Sequence, residues 1–204
     1  MIPQADKQRV ADAIRAAEQK TTGEIFCVVA DHASRYPLAP FAAAAVFALL
    51  IPLWLILFTD ESAATIYLVQ LAGFVLAAAA FSHPRLRYRL VPRALQHDRA
   101  HLTAMRQFLA QGLHKTPSRT GVLIFAATAE RYATVIADEG IHGKVDPETW
   151  NGAIDILIAA IKDGRPADGF VGAVERCGAV LAEHYPRPPG AVKAEELPDK
   201  LVEI

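Results

Sequence analysis

The chain has 204 residues, of which 52% are hydrophobic, and its mean hydropathy is +0.21. Its formal net charge is −1, which excludes the strongly basic surface of a typical nucleic-acid-binding protein. Residues 85–119 nevertheless hold eight Arg or Lys and one acid, whereas residues from 130 onward hold fourteen acids and eight bases. Two isolated cysteines, Cys27 and Cys177, are typical of buried thiols in a reducing compartment.

The amino-terminal segment predicts a helix followed by a strand. Val10, Ile14 and Ala17 recur at helical spacing within residues 4–20, with charged residues between them. After Gly23 the apolar run 24–30 predicts a strand, which ends at Asp31. No apolar core of a signal peptide precedes these elements, so we expect this segment to remain in the cytoplasm.

Two uncharged runs follow, at residues 38–59 and 62–83. Each is about 20 residues long, and a helix of that length spans about 30 Å, the thickness of the hydrocarbon core of a bilayer. Neither run has a polar face, and two such helices would leave a soluble chain of this size too little polar surface. We therefore predict a transmembrane helical hairpin over residues 38–83, with Asp60 and Glu61 in the tight loop.

The distribution of arginine predicts the orientation of this hairpin. Arg85, Arg87, Arg89 and Arg93 follow the second run and Arg35 precedes the first, whereas the connecting loop has neither Lys nor Arg. By the positive-inside rule both termini should face the cytoplasm. The arginine cluster marks topology and could also contact anionic lipid headgroups. We therefore expect an integral membrane protein whose first partner is the lipid bilayer.

The remaining sequence predicts a small sheet covered by helices, an α/β fold. The order is helix, strand, hairpin, helix, strand, strand, helix, helix. A helix over residues 94–113 is expected to face the core through four large apolar residues: Leu95, Leu102, Met105 and Leu109. The later elements are predicted as strands 121–127 and 132–138 and helices 147–163 and 168–184. The domain would thus comprise residues 1–37 and 84–187, followed by an extended tail at 188–204.

Three segments resemble the TPM domain family of thylakoid-lumen, photosystem-repair and receptor-modulator proteins. They read TGEIFCVVAD, RTGVLIFAATAERYATVIADEGI and DGRPADGFVGAVERCGAVLAEHYP. The resemblance covers most of residues 1–187 outside the hairpin and implies a TPM-like α/β/α fold. It places the chain in a bacterial inner-membrane branch with the hairpin inserted after the first strand. Two departures stand out, because TPM domains usually lie outside the cytoplasm and an acidic motif of the second helix is missing.

Carboxylates at the predicted strand ends are candidate metal ligands. Asp31 follows the first strand, and Asp138 and Glu139 follow the third. If these side chains meet above the sheet, their oxygens could hold Ca²⁺ or Mg²⁺. The family resemblance adds to this, because some TPM domains are reported to bind calcium and to show weak acid-phosphatase activity. The alternative is that the three residues are solvated loop acids or helix caps.

Other candidate sites are weaker. His97 and His101 lie four residues apart, which suits zinc chelation, but no third ligand is evident and two surface histidines are the alternative. Glu130 and Arg131 are expected to form a surface pair at the turn between two strands. The sequence has no Walker loop and no nucleophile elbow, and neither cysteine has a histidine nearby.

Two functions from different classes remain. The first is a membrane-anchored, non-catalytic interaction or assembly module for other membrane proteins, with a free carboxyl-terminal tail suited to docking. The second is a metal-dependent phosphohydrolase that uses Asp31, Asp138 and Glu139. The separation of Asp31 from Asp138 distinguishes the two, because the enzyme needs these carboxylates together. The sequence leaves the oligomeric state and the identity of any partner protein open.

Overall fold

The computed structural model describes residues 2–116, 119–188 and 198–204, apart from the side chains of Pro84 and Arg85. The described residues form two compact units, one of Met1–Ala33 with His97–Ile204 and the other of Ser34–Gln96. Two 3₁₀ turns, Leu113–Lys115 and Pro147–Trp150, accompany the regular elements. In chain order these elements are α1 (Gln4–Glu18), β1 (Glu24–Ala30), α2 (Leu38–Phe58), α3 (Ala63–Phe81), α4 (Pro84–Leu90), α5 (Arg93–Ala110), β2 (Gly121–Ala127), β3 (Tyr132–Ala137), α6 (Glu139–His142), α7 (Asn151–Lys162), α8 (Pro166–His184) and β4 (Leu201–Glu203).

The four strands form one mixed sheet in the order β3-β2-β1-β4. β1 pairs in parallel with β2 along its whole length, from Glu24 opposite Gly121 to Ala30 opposite Ala127. β4 is also parallel to β1, whereas β3 runs antiparallel to β2. Every residue of β1 and β2 is buried, as expected for continuous apolar strands covered on both faces. The predicted class, a small α/β sheet covered by helices, is confirmed.

Helices cover the two faces of the sheet unequally. One face of β1, which includes Ile25 and Cys27, packs against buried residues of α1, α7 and α8. The opposite face includes Phe26 and packs against α5 and the following 3₁₀ turn. The residues that α5 and this turn contribute are Ala100, Ala104, Phe108 and Leu113. One helix therefore covers one face of the sheet, whereas three helices cover the other face.

The predicted inward face of α5 is wrong. Four apolar residues expected in the core are 37% to 55% exposed: Leu95, Leu102, Met105 and Leu109. Ala100, Ala104 and Phe108 are buried instead, at a spacing of four residues. Both sets repeat at helical spacing, so periodicity alone could not choose between them. The small alanine side chains allow α5 to lie close to the sheet, which the leucines would not.

The carboxyl-terminal residues are not the free tail that the sequence predicts. Leu201 is buried and pairs with Cys27, so this segment extends the sheet as β4. Ile204 N–H donates to the Val29 carbonyl at 3.0 Å, and Asp31 N–H donates to the Ile204 carbonyl at 3.2 Å. The edge of β1 offers unpaired donors and acceptors, which three tail residues satisfy. Residues 189–197 of the predicted tail lie outside the described residues.

The unit formed by Ser34–Gln96 contains two apolar helices, α2 and α3, of 21 and 19 residues. They contact each other through small residues, among them Ala44, Ala77 and Ala78. Both helices are long and apolar enough to cross a membrane by length and composition. An apolar 18-residue stretch of α2 is only 11% buried, and that of α3 is only 6% buried. The core helices of soluble proteins are mostly buried instead. Leu38–Phe58 and Ala63–Phe81 are thus candidates for a membrane hairpin.

Arg87, one of the arginines that follow the second apolar run, joins the two chain segments that flank α2 and α3. The Arg87 guanidinium donates to the Ser82 carbonyl at 3.0 Å and to the Arg35 carbonyl at 3.1 Å. Ser82 follows the last residue of α3, where a cation is favoured by the helix dipole. The Tyr36 and Tyr88 rings contact each other edge to face, with their centroids 6.0 Å apart. Arg87 therefore fastens the chain before α2 to the chain after α3.

The fold predicts unequal effects of two glycine substitutions. A Cβ at Gly121 would lie 2.6 Å from the Leu113 carbonyl oxygen, so Gly121→Ala forces the backbone apart and should cost about 1–3 kcal/mol of unfolding free energy. A Cβ at Gly143 meets nothing within 4 Å, and its φ is −71°, so Gly143→Ala should be neutral or slightly stabilising. Thermal unfolding of the full chain in detergent, followed by circular dichroism, measures both. Equal Tm values for the two variants would contradict the close packing of β2 against the 3₁₀ turn.

Candidate functional site

A cavity of about 410 Å³ lies at the edge of the sheet where β1, β2 and β4 end. Asp31 and Thr128 follow β1 and β2, and Glu203 closes β4. The first turns of α1 and α8 form the opposite wall. In open α/β sheets, ligands bind outside the carboxyl ends of the parallel strands, which makes this cavity the candidate functional site.

Charged side chains in the cavity wall are paired with one another. Arg9 of α1 donates to Asp6 at 3.1 Å and to Asp168 of α8 at 2.8 Å, and Asp168 and then Asp6 raise the pKa of Arg9. Arg165 contacts Asp168 at 3.5 Å and Asp163 at 3.3 Å. These pairs are exposed, so they contribute little to stability. They join α1 to α8 and balance the charge of this wall.

Glu203 fixes β4 to the start of the chain. Its carboxylate accepts hydrogen bonds from the backbone N–H of Ile2 and from Lys7 Nζ, the latter at 3.0 Å. These two donors hold the pKa of Glu203 below its ordinary value of 4.5. The interaction is therefore present at neutral pH and is lost only as the pH falls through this lowered pKa. Sequence reasoning missed Glu203, because nothing local predicts a strand in residues 201–203.

The three predicted metal ligands do not lie together. Asp31 follows β1 at the cavity edge, whereas Asp138 donates its backbone N–H to the carbonyl of Gly121 at the start of β2. The β1–β2 register places six residue steps between the two edges, which is roughly 20 Å along a strand. The structure therefore does not bring Asp31 together with Asp138 and Glu139, because β3 is antiparallel and its end lies at the other edge. Only Asp138 and Glu139 remain neighbours.

Asp138 and Glu139 form a small cluster with Arg119. Asp138 caps α6, because its Oδ1 accepts the backbone N–H of Glu139 at 2.7 Å. Arg119 contacts Asp138 Oδ1 at 3.5 Å and Glu139 Oε2 at 3.2 Å. Asp138 is buried, and within the described residues its Oδ2 has no hydrogen-bond partner. The arrangement is that of a helix cap, which is one of the alternatives the sequence leaves open.

These contacts do not suit a Ca²⁺ or Mg²⁺ site. Asp138 and Glu139 together supply four carboxylate oxygens, and one of them, Asp138 Oδ1, already accepts the backbone N–H of Glu139 as a helix cap. The Arg119 guanidinium stands beside both carboxylates and would repel a divalent cation. In residues 2–116, 119–188 and 198–204, no three His, Cys, Asp or Glu side chains are grouped to hold a metal.

The two histidines proposed for zinc both contact Tyr132. The His97 ring lies 5.3 Å from the Tyr132 ring between centroids, and His101 Nδ1 is 3.2 Å from the Tyr132 hydroxyl. Burial raises the pKa of Tyr132. The histidines therefore pack α5 against the first residue of β3, and among the described residues no third ligand joins them.

Glu130 is a buried structural residue, so the expected surface pair is wrong. Both of its carboxylate oxygens accept the backbone N–H of Ala33, at 3.0 and 3.1 Å. This contact ties the turn between β2 and β3 to the chain that leaves β1. Arg131 has a φ of 51°, a conformation uncommon for residues other than glycine. An acid in a turn gives no sequence signal that distinguishes these two roles.

The fold and the cavity define a mixed-sheet domain with two candidate membrane helices between its first two strands. A family model described as the TPM domain matches residues 80–180. The NMR structure of BA42 protein from the psychrophilic bacterium Bizionia argentinensis is similar, with a TM-score of 0.61 and 19% identity. That likeness covers 100% of this chain and 96% of BA42, and shows the fold alone. No curated protein matches the sequence significantly.

The chain contains a TPM domain, and the predicted family resemblance is confirmed. The match begins at the end of α3 and runs to within α8, so it covers β2, β3 and the helices around them. The second of the three segments that carry the resemblance, RTGVLIFAATAERYATVIADEGI, includes β2, which begins at the tightly packed Gly121 described above. Neither comparison determines a reaction or a partner.

The geometry predicts that calcium does not stabilise this protein specifically. Millimolar CaCl₂ should raise the Tm of the full chain no more than NaCl of matched ionic strength, because the positive charge of Arg119 stands beside both carboxylates and would repel the cation. Asp138→Asn and Asp31→Asn should respond in the same way as the native chain. A calcium-specific rise that Asp138→Asn abolishes would contradict this, and it would amount to about 2.7 kcal/mol at a hundredfold excess over Kd.

Proposed function

We propose that this protein is a membrane-anchored TPM domain that serves as a non-catalytic interaction or assembly module for other membrane proteins. Its hairpin, α2 with α3, would insert into the bacterial inner membrane, and its TPM domain would lie in the cytoplasm. The observation that carries the anchoring is the outward placement of nearly all large apolar side chains of these two helices.

The exposed surface of the hairpin is too apolar for water. On α2 the exposed large side chains include Phe47, Leu50, Leu53, Trp54, Leu57 and Phe58, and on α3 they include Tyr67, Leu68, Leu71, Val75 and Leu76. Soluble monomers rarely expose a contiguous apolar patch of more than a few hundred Å². An apolar groove of about 750 Å³ also opens between the helices, beside Gly73. Lipid chains would cover this surface without leaving backbone groups unpaired, because both segments are helical.

The proposed orientation rests on charge. The loop between α2 and α3 carries Asp60 and Glu61 and no base, whereas Arg87 and Arg89 follow α3. Basic residues at the ends of spans are retained on the cytoplasmic side. Arg87 has a second role, since it binds the carbonyls of Arg35 and Ser82.

Cysteine labelling tests this orientation. In intact cells, Ser62→Cys should react with a membrane-impermeant maleimide, whereas Gln4→Cys should react only after permeabilisation. The native thiols give little background, because burial raises the pKa of Cys177 to about 12 and that of Cys27 well above its ordinary value. Labelling of Gln4→Cys in intact cells would show that the domain lies outside the cytoplasm, where TPM domains usually lie.

The interaction role is supported by how the domain uses its charged residues. Asp138 caps a helix, Glu130 holds the start of a loop, and Glu203 fixes β4. The cavity remains as a surface that could receive a polar segment of a partner. Its wall contains both signs of charge. A cationic group of a partner could take the place of Arg9 or Arg165 beside Asp168. The alternative, a metal-dependent phosphohydrolase, is suggested by the resemblance to TPM domains, and by no grouping of carboxylates described above.

Affinity isolation from membranes in mild detergent tests the interaction role. The native chain and Gly143→Ala should retain the same membrane proteins, and Asp168→Lys should lose them, because it reverses a charge of the cavity wall and leaves the hairpin sequence unchanged. The amount of each variant in the membrane serves for normalisation. Recovery of the same proteins with the native chain and both variants would show that this wall of the cavity does not bind them.

The same purified protein separates this proposal from the alternative. Hydrolysis of p-nitrophenyl phosphate with Mg²⁺ or Ca²⁺ should stay at background. Turnover that Asp31→Asn or Asp138→Asn abolishes would show that the phosphohydrolase is the better description. Glu183→Gln, at an exposed position on α8, is the control for a change of charge alone.

A further inference from the structure

Three exposed apolar residues of α5 form a stripe on the side away from the sheet. Leu102, Met105 and Leu109 are spaced three and four residues apart, which places them on one side of the helix. The buried face, represented by Ala100 and Ala104, lies on the other side. We call Leu102, Met105 and Leu109 the α5 stripe. None of its side chains belongs to a core cluster of the described residues.

Basic residues border the α5 stripe. Arg99 precedes Leu102 by three residues, and Arg106 lies three residues before Leu109 and four after Leu102. Both side chains are exposed, and in the described part of the chain neither guanidinium forms an ion pair. Asp98 is the single acid of α5, against the bases Arg93, Arg99 and Arg106. An apolar helix face with a basic border is typical of helices that lie in the surface of an anionic bilayer.

Connectivity keeps the α5 stripe near a membrane. α5 begins at Arg93, twelve residues after α3 ends at Phe81. A chain of that length reaches at most about 40 Å, so insertion of the hairpin would hold this helix at a high local concentration beside the leaflet. The cytoplasmic leaflet of a bacterial membrane would present negative charge to Arg99 and Arg106.

We infer that the α5 stripe docks on the anionic lipid surface of the leaflet next to the domain. Leu102, Met105 and Leu109 lie at the level of the headgroups and upper acyl chains, and Arg99 and Arg106 contact lipid phosphates. The inference rests on the hairpin insertion proposed above and adds a second membrane contact, made by the domain itself. The face of the sheet under α5 is thereby held toward the bilayer. The opposite side of the domain, formed by the outer surfaces of α1, α7 and α8, is left available to partner proteins.

The test uses the full chain in two nanodisc preparations, one with a single copy in each disc and one with two copies. Met105→Cys carries an environment-sensitive NBD probe, and the lipid is phosphatidylcholine with or without phosphatidylglycerol. Ile156→Cys is the matched control, since Ile156 is an exposed apolar residue of α7, on the other side of the sheet. Leu76→Cys on α3 reports whether the hairpin is inserted. Leu109→Cys repeats the measurement at a second position of the stripe.

We expect probes at residues 105 and 109 to be quenched by doxyl-labelled lipids in the anionic discs, and shielded there from aqueous iodide. The probe at residue 156 should remain open to iodide. Arg99→Gln combined with Arg106→Gln should reduce the lipid quenching at residue 105 to the level seen in neutral discs. Residue 76 should be quenched by lipid in both lipid compositions, because its contact with lipid does not depend on charge.

Three results would overturn the inference. If residues 105 and 109 are as open to iodide as residue 156 while residue 76 is quenched, the hairpin inserts but the α5 stripe does not dock. If residue 76 is also unquenched, the proposed anchoring fails together with the inference. If residues 105 and 109 are shielded only in discs that hold two copies, the stripe binds a second copy of the chain and not lipid.

Discussion

The parallel pairing of β1 with β2 is the constraint on which the rest of the structure depends. Two parallel neighbours cannot be joined by a short turn, so the chain must leave one edge of the sheet and return at the other. Here residues 31–120 make that connection, and they contain both apolar helices and α5. The connection therefore supplies the candidate membrane anchor and also the helix that covers one face of the sheet.

The same pairing separates the charged residues into two groups. Asp31 follows β1 and Glu203 is the last residue of β4 at the cavity edge, whereas Asp138 follows the antiparallel β3 and lies at the opposite edge. The carboxylates of Glu203 at one edge and of Asp138 at the other are engaged by Lys, Arg or backbone N–H groups. These side chains therefore organise loops and helix ends.

Two apolar surfaces of different kinds are exposed on the described residues. The hairpin exposes large side chains on nearly every side of α2 and α3, which matches a lipid environment. The α5 stripe is narrower and is bordered by Arg99 and Arg106, which matches the boundary between lipid and water. These two surfaces are the basis for the proposed spanning anchor and for the proposed contact of α5 with the lipid surface.

The sequence by itself determined the α/β class, the TPM domain and the two apolar helices, because these depend on composition, local periodicity and motifs. Only the tertiary structure decided the direction of β3, the buried face of α5, the strand at Leu201–Glu203 and the burial of Glu130. A strand has the same pattern in either direction, and α5 has two faces of equal spacing. Short strands and buried turn acids depend on partners far away in the chain, and no local pattern contains that information.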